Sequence, residues 1–342
     1  MWRAAVIACG NQKKWITIMA SQEHDILNET ALLGHETVVV DLSKLGIIRF
    51  QGEDTQTFLQ GQLTNDIRQL KTDLAQLSAY CTPKGRMLAN FLLWQTEDGV
   101  HALLPAELAE PIRKRLAMFI MRSKVKAEDM SALLTPFAVY GPQAADSIHA
   151  VLGACPAQDY QSIHTDQASV IRLPQDFFLI VCQSAAAEVV RGHFTARHKP
   201  VGGHALDWWL VQSGVPLITP STQEQFVPQM ANYEVLGGVN FKKGCYPGQE
   251  IVARTQYLGK LKRRMYRISL PADSNAAIGD ELYGVDMGDQ AIGMLVNLHA
   301  GLDGKTEALA VLQISSVEAG PIHHKATDGA IADILPLPYN VA

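Results

Sequence analysis

Residues 75–94 read Ala-Gln-Leu-Ser-Ala-Tyr-Cys-Thr-Pro-Lys-Gly-Arg-Met-Leu-Ala-Asn-Phe-Leu-Leu-Trp. Two apolar-rich runs, 75–82 and 86–94, flank Pro83-Lys84-Gly85, a tripeptide suited to a tight turn. The stretch predicts a β-hairpin. Upstream, residues 45–51 with Ile47, Ile48 and Phe50 predict a strand. Gly52-Glu53-Asp54 then opens a short helix through Phe58 and Leu59, ending at Gly61, where glycine takes the left-handed conformation cheaply. Downstream, Leu108, Ile112, Leu116 and Phe119 or Ile120 recur at helical spacing across 105–121, with Arg113, Lys114 and Arg115 left for water. Residues 122–127 follow as a strand. Strand, helix, strand, strand, helix, strand is the split βαβ order of a ferredoxin-like unit.

A similar order begins again: a strand at 133–140, a helix at 142–152, strands at 169–173 and 177–182 around Pro174-Gln175-Asp176, and a helix at 185–197. Residues 205–212, with Trp208 and Trp209, predict a helix that stops at Gly214 and Pro216. Across 261–340, strand-like pieces separated by Gly279-Asp280, Gly288-Asp289 and Gly320-Pro321 predict a small β-barrel or sandwich. The expected organisation is α+β: a leader or upstream start over 1–24, a first α+β unit over 25–130, a second over 131–225, a signature segment over 226–258, and a C-terminal barrel over 259–342.

At 342 residues and 47% hydrophobic, the chain has material for more than one core. Its five cysteines are odd in number and contain no Cys-x-x-Cys pair, which excludes a fully paired disulfide framework and a zinc finger. A net charge of -5 excludes a general nucleic-acid coat, so any polyanion site must be local. No apolar run approaches the ~18–20 residues of a membrane span. Residues 1–22 carry Arg3, Lys13 and Lys14 and no acid, the bias of a transit peptide, while Met19 offers an alternative start. The expected location is the cytoplasm, or the mitochondrion if residues 1–22 are a true presequence.

Residues 237–262 concentrate the chemistry. Pro247 suits the first position of a helix over 248–257, which would put Cys245 at that helix's N-terminal mouth. The dipole there favours the thiolate, and Lys242, Lys243 and Arg254 push the same way. Cys245 is therefore the candidate reactive thiol. Cys9, Cys81, Cys155 and Cys182 lack such surroundings and read as small buried hydrophobes. One thiolate cannot by itself hold zinc or an iron–sulfur cluster, which take four ligands, and no metal site is expected. Of the histidines, His299 and the pair His323-His324 are the remaining candidate ligands, and adjacent histidines in a polar turn are usually only solvated. Between Lys242 and Arg267 stand eight cations and one acid, Glu250. That imbalance suggests an anionic ligand or partner: phosphate, RNA backbone or a carboxylate tail.

Lys-Gly-Cys-Tyr-Pro-Gly-Gln-Glu at 243–250, followed by Val252-Ala253-Arg254 and Lys262-Arg263, closely resembles the signature of the YgfZ family, folate-binding relatives of the glycine-cleavage T-protein. Further blocks resemble the family in its order: Phe58-Leu59-Gln60-Gly61-Gln62-Leu63-Thr64-Asn65-Asp66, Lys84-Gly85-Arg86-Met87, Arg122-Ser123-Lys124-Val125, Ser213-Gly214-Val215-Pro216 and Phe226-Val227-Pro228-Gln229. The resemblance covers roughly residues 40–342. It implies two ferredoxin-like units plus a C-terminal β-barrel around a central hole, with tetrahydrofolate or a derivative as cofactor and transient contact with an iron–sulfur cluster. The partners it implies are iron–sulfur client enzymes such as a tRNA methylthiotransferase. The cation run itself makes segment 254–267 a candidate tRNA contact, although no RNA-binding signature with interleaved aromatics accompanies it, and no membrane partner is expected.

By the same resemblance, the T-protein's catalytic aspartate pair falls on Ala89 and Asn90, and its pterin-contacting glutamate on Gln212. Asn90 cannot ionise, so it can neither accept a proton nor stabilise a cation with full charge. Gln212 keeps a donor and an acceptor for a pterin edge. The candidate folate contacts are Arg86, Asn90, Gln212 and Gln229, and the motif residues are Lys243, Gly244, Cys245, Tyr246, Gly248, Gln249, Glu250 and Arg254. The expected function is a folate-binding factor for assembly or repair of iron–sulfur clusters in client enzymes, indirectly supporting tRNA methylthiolation, rather than a conventional enzyme. The alternative is a folate-dependent one-carbon transferase related to aminomethyltransferase. A cysteine hydrolase would need one of His193, His198, His204 or His299 within reach of the thiol.

Overall fold

A computed structural model describes residues 26–301 and 303–341, so the expectations for the leader and for Cys9 lie outside the described residues. The chain runs through β1 (Val38–Asp41), β2 (Leu45–Gln51), α1 (Thr55–Gln60), β3 (Gln76–Cys81), β4 (Met87–Thr96), β5 (Gly99–Pro105), α2 (Ala106–Ala117) and β6 (Lys126–Asp129). The first sheet has the order β3-β4-β5-β2-β6, with every neighbour antiparallel. Strands β2, β4, β5 and β6 with α1 and α2 make the ferredoxin-like set, and β3 is added at its edge.

The hairpin forms as expected, with Gln76 opposite Leu93 and Tyr80 opposite Ala89. Its role in the sheet differs, because a strand absent from the expectation, β5, follows β4 through a turn that pairs Thr96 with Gly99. Gly99 adopts φ +139, and a Cβ there would stand 2.4 Å from the Phe50 carbonyl oxygen, so glycine alone lets the strands return so tightly.

The second unit comprises β7 (Leu134–Tyr140), α3 (Ala144–Leu152), β8 (Ser162–His164), β9 (Ala168–Leu173), β10 (Phe177–Gln183), α4 (Ser184–Thr195) and β11 (Lys199–Val201). Its sheet runs β11-β1-β7-β10-β9-β8. Strand β1 lies parallel to β11 and antiparallel to β7, so residues 38–41 belong to this sheet and not to the unit that follows them in sequence. Val38 and Val40 face one core and Val39 the other, which is why three consecutive valines are all buried.

Helix α5 (His204–Ser213) leads into a long connection ending at α6 (Gln249–Tyr257). Then come β12 (Arg263–Pro271), β13 (Glu281–Gly284), β14 (Ala291–Ala300), β15 (Lys305–Gln313), α7 (Ile314–Ala319), β16 (Ile322–His324) and β17 (Ile331–Leu335). The strands close as a barrel in the order β12-β15-β14-β13-β16-β17, with β17 returning to β12. Along β15, Ala308, Ala310 and Leu312 fill the barrel while Leu309 and Val311 face the core shared with both α+β units. That two-residue period is what docks the barrel. His324 corrects the solvated reading: it is 2% exposed, with Nε2 2.9 Å from Asp280 Oδ2. Among the described residues, no helix is long and apolar enough to cross a membrane.

Candidate functional site

The connection that carries Cys245 is fastened by residues far away in sequence. Thr64 Oγ1 donates to the Gly238 carbonyl at 2.7 Å, Asn65 Nδ2 to Gly237 at 2.8 Å, and the Asn240 N–H to Thr64 at 3.0 Å. Tyr233 is fully buried, its hydroxyl donating to Ser78 O at 3.2 Å. Gly238 lies flat against this ring, since a Cβ there would sit 2.3 Å from two ring carbons. The Met87 N–H donates to Phe226 O at 2.8 Å, and Gln229 Nε2 to Val252 O at 2.7 Å. Gly248 meets the hairpin turn directly: a Cβ on it would stand 2.4 Å from Thr82 O and 2.5 Å from the Gly85 Cα. The separate sequence blocks are thus packing partners of one segment.

Within that segment Lys243 and Tyr246 are buried on either side of exposed Gly244 and Cys245. Lys243 is 6% exposed, and its Nζ donates to the carbonyls of Gln60, at 2.6 Å, and Leu63. It also stands 5.0 Å over the ring of buried Tyr246. Burial pushes its ammonium down to about 8, against the opposing pull of the Asp66 carboxylate. Lys243 therefore clamps the C-terminal end of α1, and its charge is engaged there rather than free to favour a thiolate. Replacing it with methionine leaves two carbonyls without their donor. A loss of about 2 kcal/mol in stability is expected by urea denaturation.

Between these two anchors, Gly244 and Cys245 bulge outward, and Cys245 is exposed. Cys81 and Cys182 are buried, with burial pushing both thiols up, and Cys155 is half-buried. The helix-mouth expectation needs correction. Gly248, at φ +83, is the N-cap of α6, so Pro247 precedes the cap instead of starting the helix. Cys245 lies three residues ahead of that cap, and the first turn already carries exposed Glu250. What distinguishes Cys245 is its presentation on a fixed bulge. Gln249 closes the loop from behind, its N–H donating to Tyr246 O at 3.2 Å, and Arg254 is exposed on the same helix.

The four expected folate residues do not converge. An apolar cavity between the two α+β units is lined by Asn90, Tyr160, Phe177, Trp209, Leu210 and Pro216, among others. Of the four, only Asn90 lines it, and its amide is engaged: Oδ1 accepts from the Ile218 N–H at 2.8 Å and Nδ2 donates to Pro216 O at 2.7 Å. Leu206, Trp209 and Leu210 turn one face of α5 to the cavity, whereas Gln212 reaches the barrel, donating to Glu307 Oε2 at 2.9 Å. Glu307 is held down at about 2 by the neighbouring His299 imidazole, 3.7 Å away, and by the Arg267 guanidinium. Arg86 is exposed and donates to the Gln225 carbonyl, and Gln229 is buried beneath α6.

A cavity residue that the sequence did not reveal is Tyr160. It sits at φ +62, its N–H donates to Arg172 O at 2.7 Å, and its carbonyl accepts the Ala75 N–H at 2.7 Å, tying the two units together. Its hydroxyl makes no hydrogen bond among the described residues, and burial pushes its pKa up. The only signal available was a lone aromatic in the polar loop 153–161.

None of the candidate histidine bases is hydrogen-bonded to the thiol. His198 pairs with Ser147 at 2.6 Å, His204 lies 3.3 Å from Glu29, and His299 donates from Nδ1 to Ala300 O at 2.9 Å. Among the described residues there is no group of three or more His, Cys, Asp or Glu side chains that could hold a metal ion.

The GCVT N-terminal domain matches residues 15–174. The tRNA-modifying protein YgfZ of Photorhabdus laumondii is 33% identical over 249 residues, covering 71% of this chain and 74% of that protein. The chain belongs to the YgfZ family. The YgfZ protein of Sodalis glossinidius is 29% identical over 318 residues, covering 89% of this chain and 93% of its own. Among solved structures, the glycine cleavage system aminomethyltransferase T of Bartonella henselae superposes with a TM-score of 0.77 at 17% identity, covering 92% of this chain and 89% of that one. At that identity the likeness concerns the fold, and it agrees with the α+β units and closed barrel of this YgfZ-family chain.

Proposed function

We propose that this protein is a folate-binding factor that supports assembly or repair of iron–sulfur clusters in client enzymes, and through them tRNA modification, with Cys245 as the reacting thiol. The observation that carries this reading is the exposed Cys245 on a bulge anchored by Lys243 and Tyr246, which are bracketed by three distant blocks. The tRNA-modifying relatives support the direction of the reading. A single thiolate offers one soft ligand, and a cluster takes four. The thiol therefore suits a transient contact completed by a client or another thiol, not a resident centre.

The flat part of a folate would lie against the walls of this cavity. Phe177, Trp209 and Tyr160 offer ring faces, and the Tyr160 hydroxyl is a free donor for a polar edge. Bound folate would supply one-carbon carrier chemistry; the protein would supply the stacking walls and that hydroxyl. Asn90 would shape the wall without offering its amide. The aminomethyl-transfer alternative is weaker, because position 90 is neutral and its amide bridges two backbone groups.

Tetrahydrofolate titration followed by tryptophan fluorescence, with Trp209→Phe to isolate the cavity ring, tests the cofactor. Saturable quenching is expected, weakened about tenfold by Tyr160→Phe, the usual size of one missing hydrogen bond, and unchanged by Cys245→Ala. Quenching without saturation would remove folate from the account.

A further inference from the structure

We infer that the end of α6 and the segment that follows form a docking surface for single-stranded RNA. Between residues 251 and 272 the chain carries six cations and no acid. Two are engaged elsewhere: Arg264 pairs with Glu234, and Arg267 with Glu307. Arg254, Lys260 and Lys262 are exposed and Arg263 is half-buried, and none of these four makes an ion pair among the described residues. On a chain of net charge -5, four uncompensated cations in ten residues are a local positive field.

The surface also has shape. A groove of about 390 Å³ runs between residues 260–262 and the start of α7, lined by Lys260, Lys262, Gln313, Ser315 and one carboxylate, Glu318. The Ile314 N–H donates to Lys262 O at 2.9 Å, and the Gly259 N–H to Arg254 O at 2.8 Å, so the lysines project from a tethered backbone.

At the end of α6, just ahead of the groove residues in sequence, Tyr257 is 67% exposed and Leu258 85% exposed. Tyr257 makes an edge contact with Phe241, with ring centroids 5.9 Å apart and planes at 72°, and stays mostly exposed despite that support. Cations alone would accept an acidic peptide as readily as RNA. A supported aromatic face among them adds what a base needs, a stacking platform. The acidic balance of the rest of the chain disfavours a long duplex and favours a short loop.

This inference is independent of the thiol and of folate. It is tested by fluorescence anisotropy of the full chain with a labelled RNA stem-loop, against a polyglutamate peptide and a duplex RNA of equal length. The stem-loop is expected to bind tightest, with affinity falling as salt rises. Lys260→Gln with Lys262→Gln should lower the slope of log affinity against log salt by about 1.4, near 0.7 for each single-strand phosphate that is no longer neutralised. Tyr257→Ala should weaken binding about tenfold and Tyr257→Phe should not, the mark of stacking. Cys245→Ala should bind as the wild type does, which separates this surface from the thiol's function. Polyglutamate or duplex binding equal to the stem-loop, or an unchanged salt slope in the double variant, would overturn the assignment, as would full affinity in Tyr257→Ala.

Discussion

Asn90→Asp is expected to lower stability by about 3–5 kcal/mol at neutral pH, the usual cost of an uncompensated buried charge. The residue is 4% exposed, and its amide joins β4 to the 216–218 segment through one donated and one accepted hydrogen bond. Aspartate keeps the acceptor for Ile218 but loses the donor, and sets a negative charge against the Pro216 carbonyl. Its folded pKa would rise above the unfolded value. The variant's deficit is therefore small in acid, where a protonated carboxyl can still donate, and grows as pH rises through that folded pKa. Urea denaturation at pH 5 and pH 7.5 reads both effects. A loss below about 1 kcal/mol at neutral pH would mean that the amide bridge contributes little. The substitution restores the ionisable residue that the T-protein resemblance places here, so it also asks whether transfer chemistry returns; the expected product is a destabilised protein without aminomethyl transfer.

Gly248→Ala should cost about 2–4 kcal/mol, from a left-handed backbone that disfavours a side chain and a methyl group forced against main-chain atoms. The atoms it meets, Thr82 O and the Gly85 Cα and N, belong to a turn and cannot rotate away. Gly153→Ala is the control: its φ of +80 is nearly the same, and nothing lies within 4 Å of its Cβ position. It should lose only the backbone part, about 1 kcal/mol. Trypsin digestion gives a second readout, since α6 lifted from the hairpin turn should be cut faster at Arg254 and Lys260 in Gly248→Ala and not in Gly153→Ala.

The hairpin at 75–94 was legible because its turn chemistry is local, and β2 and α1 were legible for the same reason. Gly61 does end α1, but at φ -84 in the right-handed region and not in the left-handed conformation expected of it. Strand β5 was not. Its run leads straight into Pro105 and a helical pattern, and only the pairing with β2 and β4 shows it to be a strand. The insertion of β1 into the second sheet is likewise a long-range pairing that no local pattern encodes. At the site, the sequence singled out Cys245 and its neighbours by composition. It misread Lys243, because an exposed activating lysine and a buried clamp have the same letter, and burial decides between them. It misplaced the start of α6 because Pro-Gly admits two readings, proline at the first helical position or glycine at the cap. Tyr160 left no signal beyond being aromatic, since its place in the cavity depends on contacts with Ala75 and Arg172.

These features leave Cys245 as the exposed thiol on a bulge whose anchors are buried, so removing its sulfur should alter chemistry and not folding. The direct measurement is the activity of an iron–sulfur tRNA-methylthiolating client in cells deleted for this protein and supplied with wild type or Cys245→Ala, with urea denaturation and tetrahydrofolate titration of both purified forms. The account predicts that Cys245→Ala folds and binds folate as wild type does and leaves client activity near that of the deletion; full restoration of client activity by Cys245→Ala would contradict it.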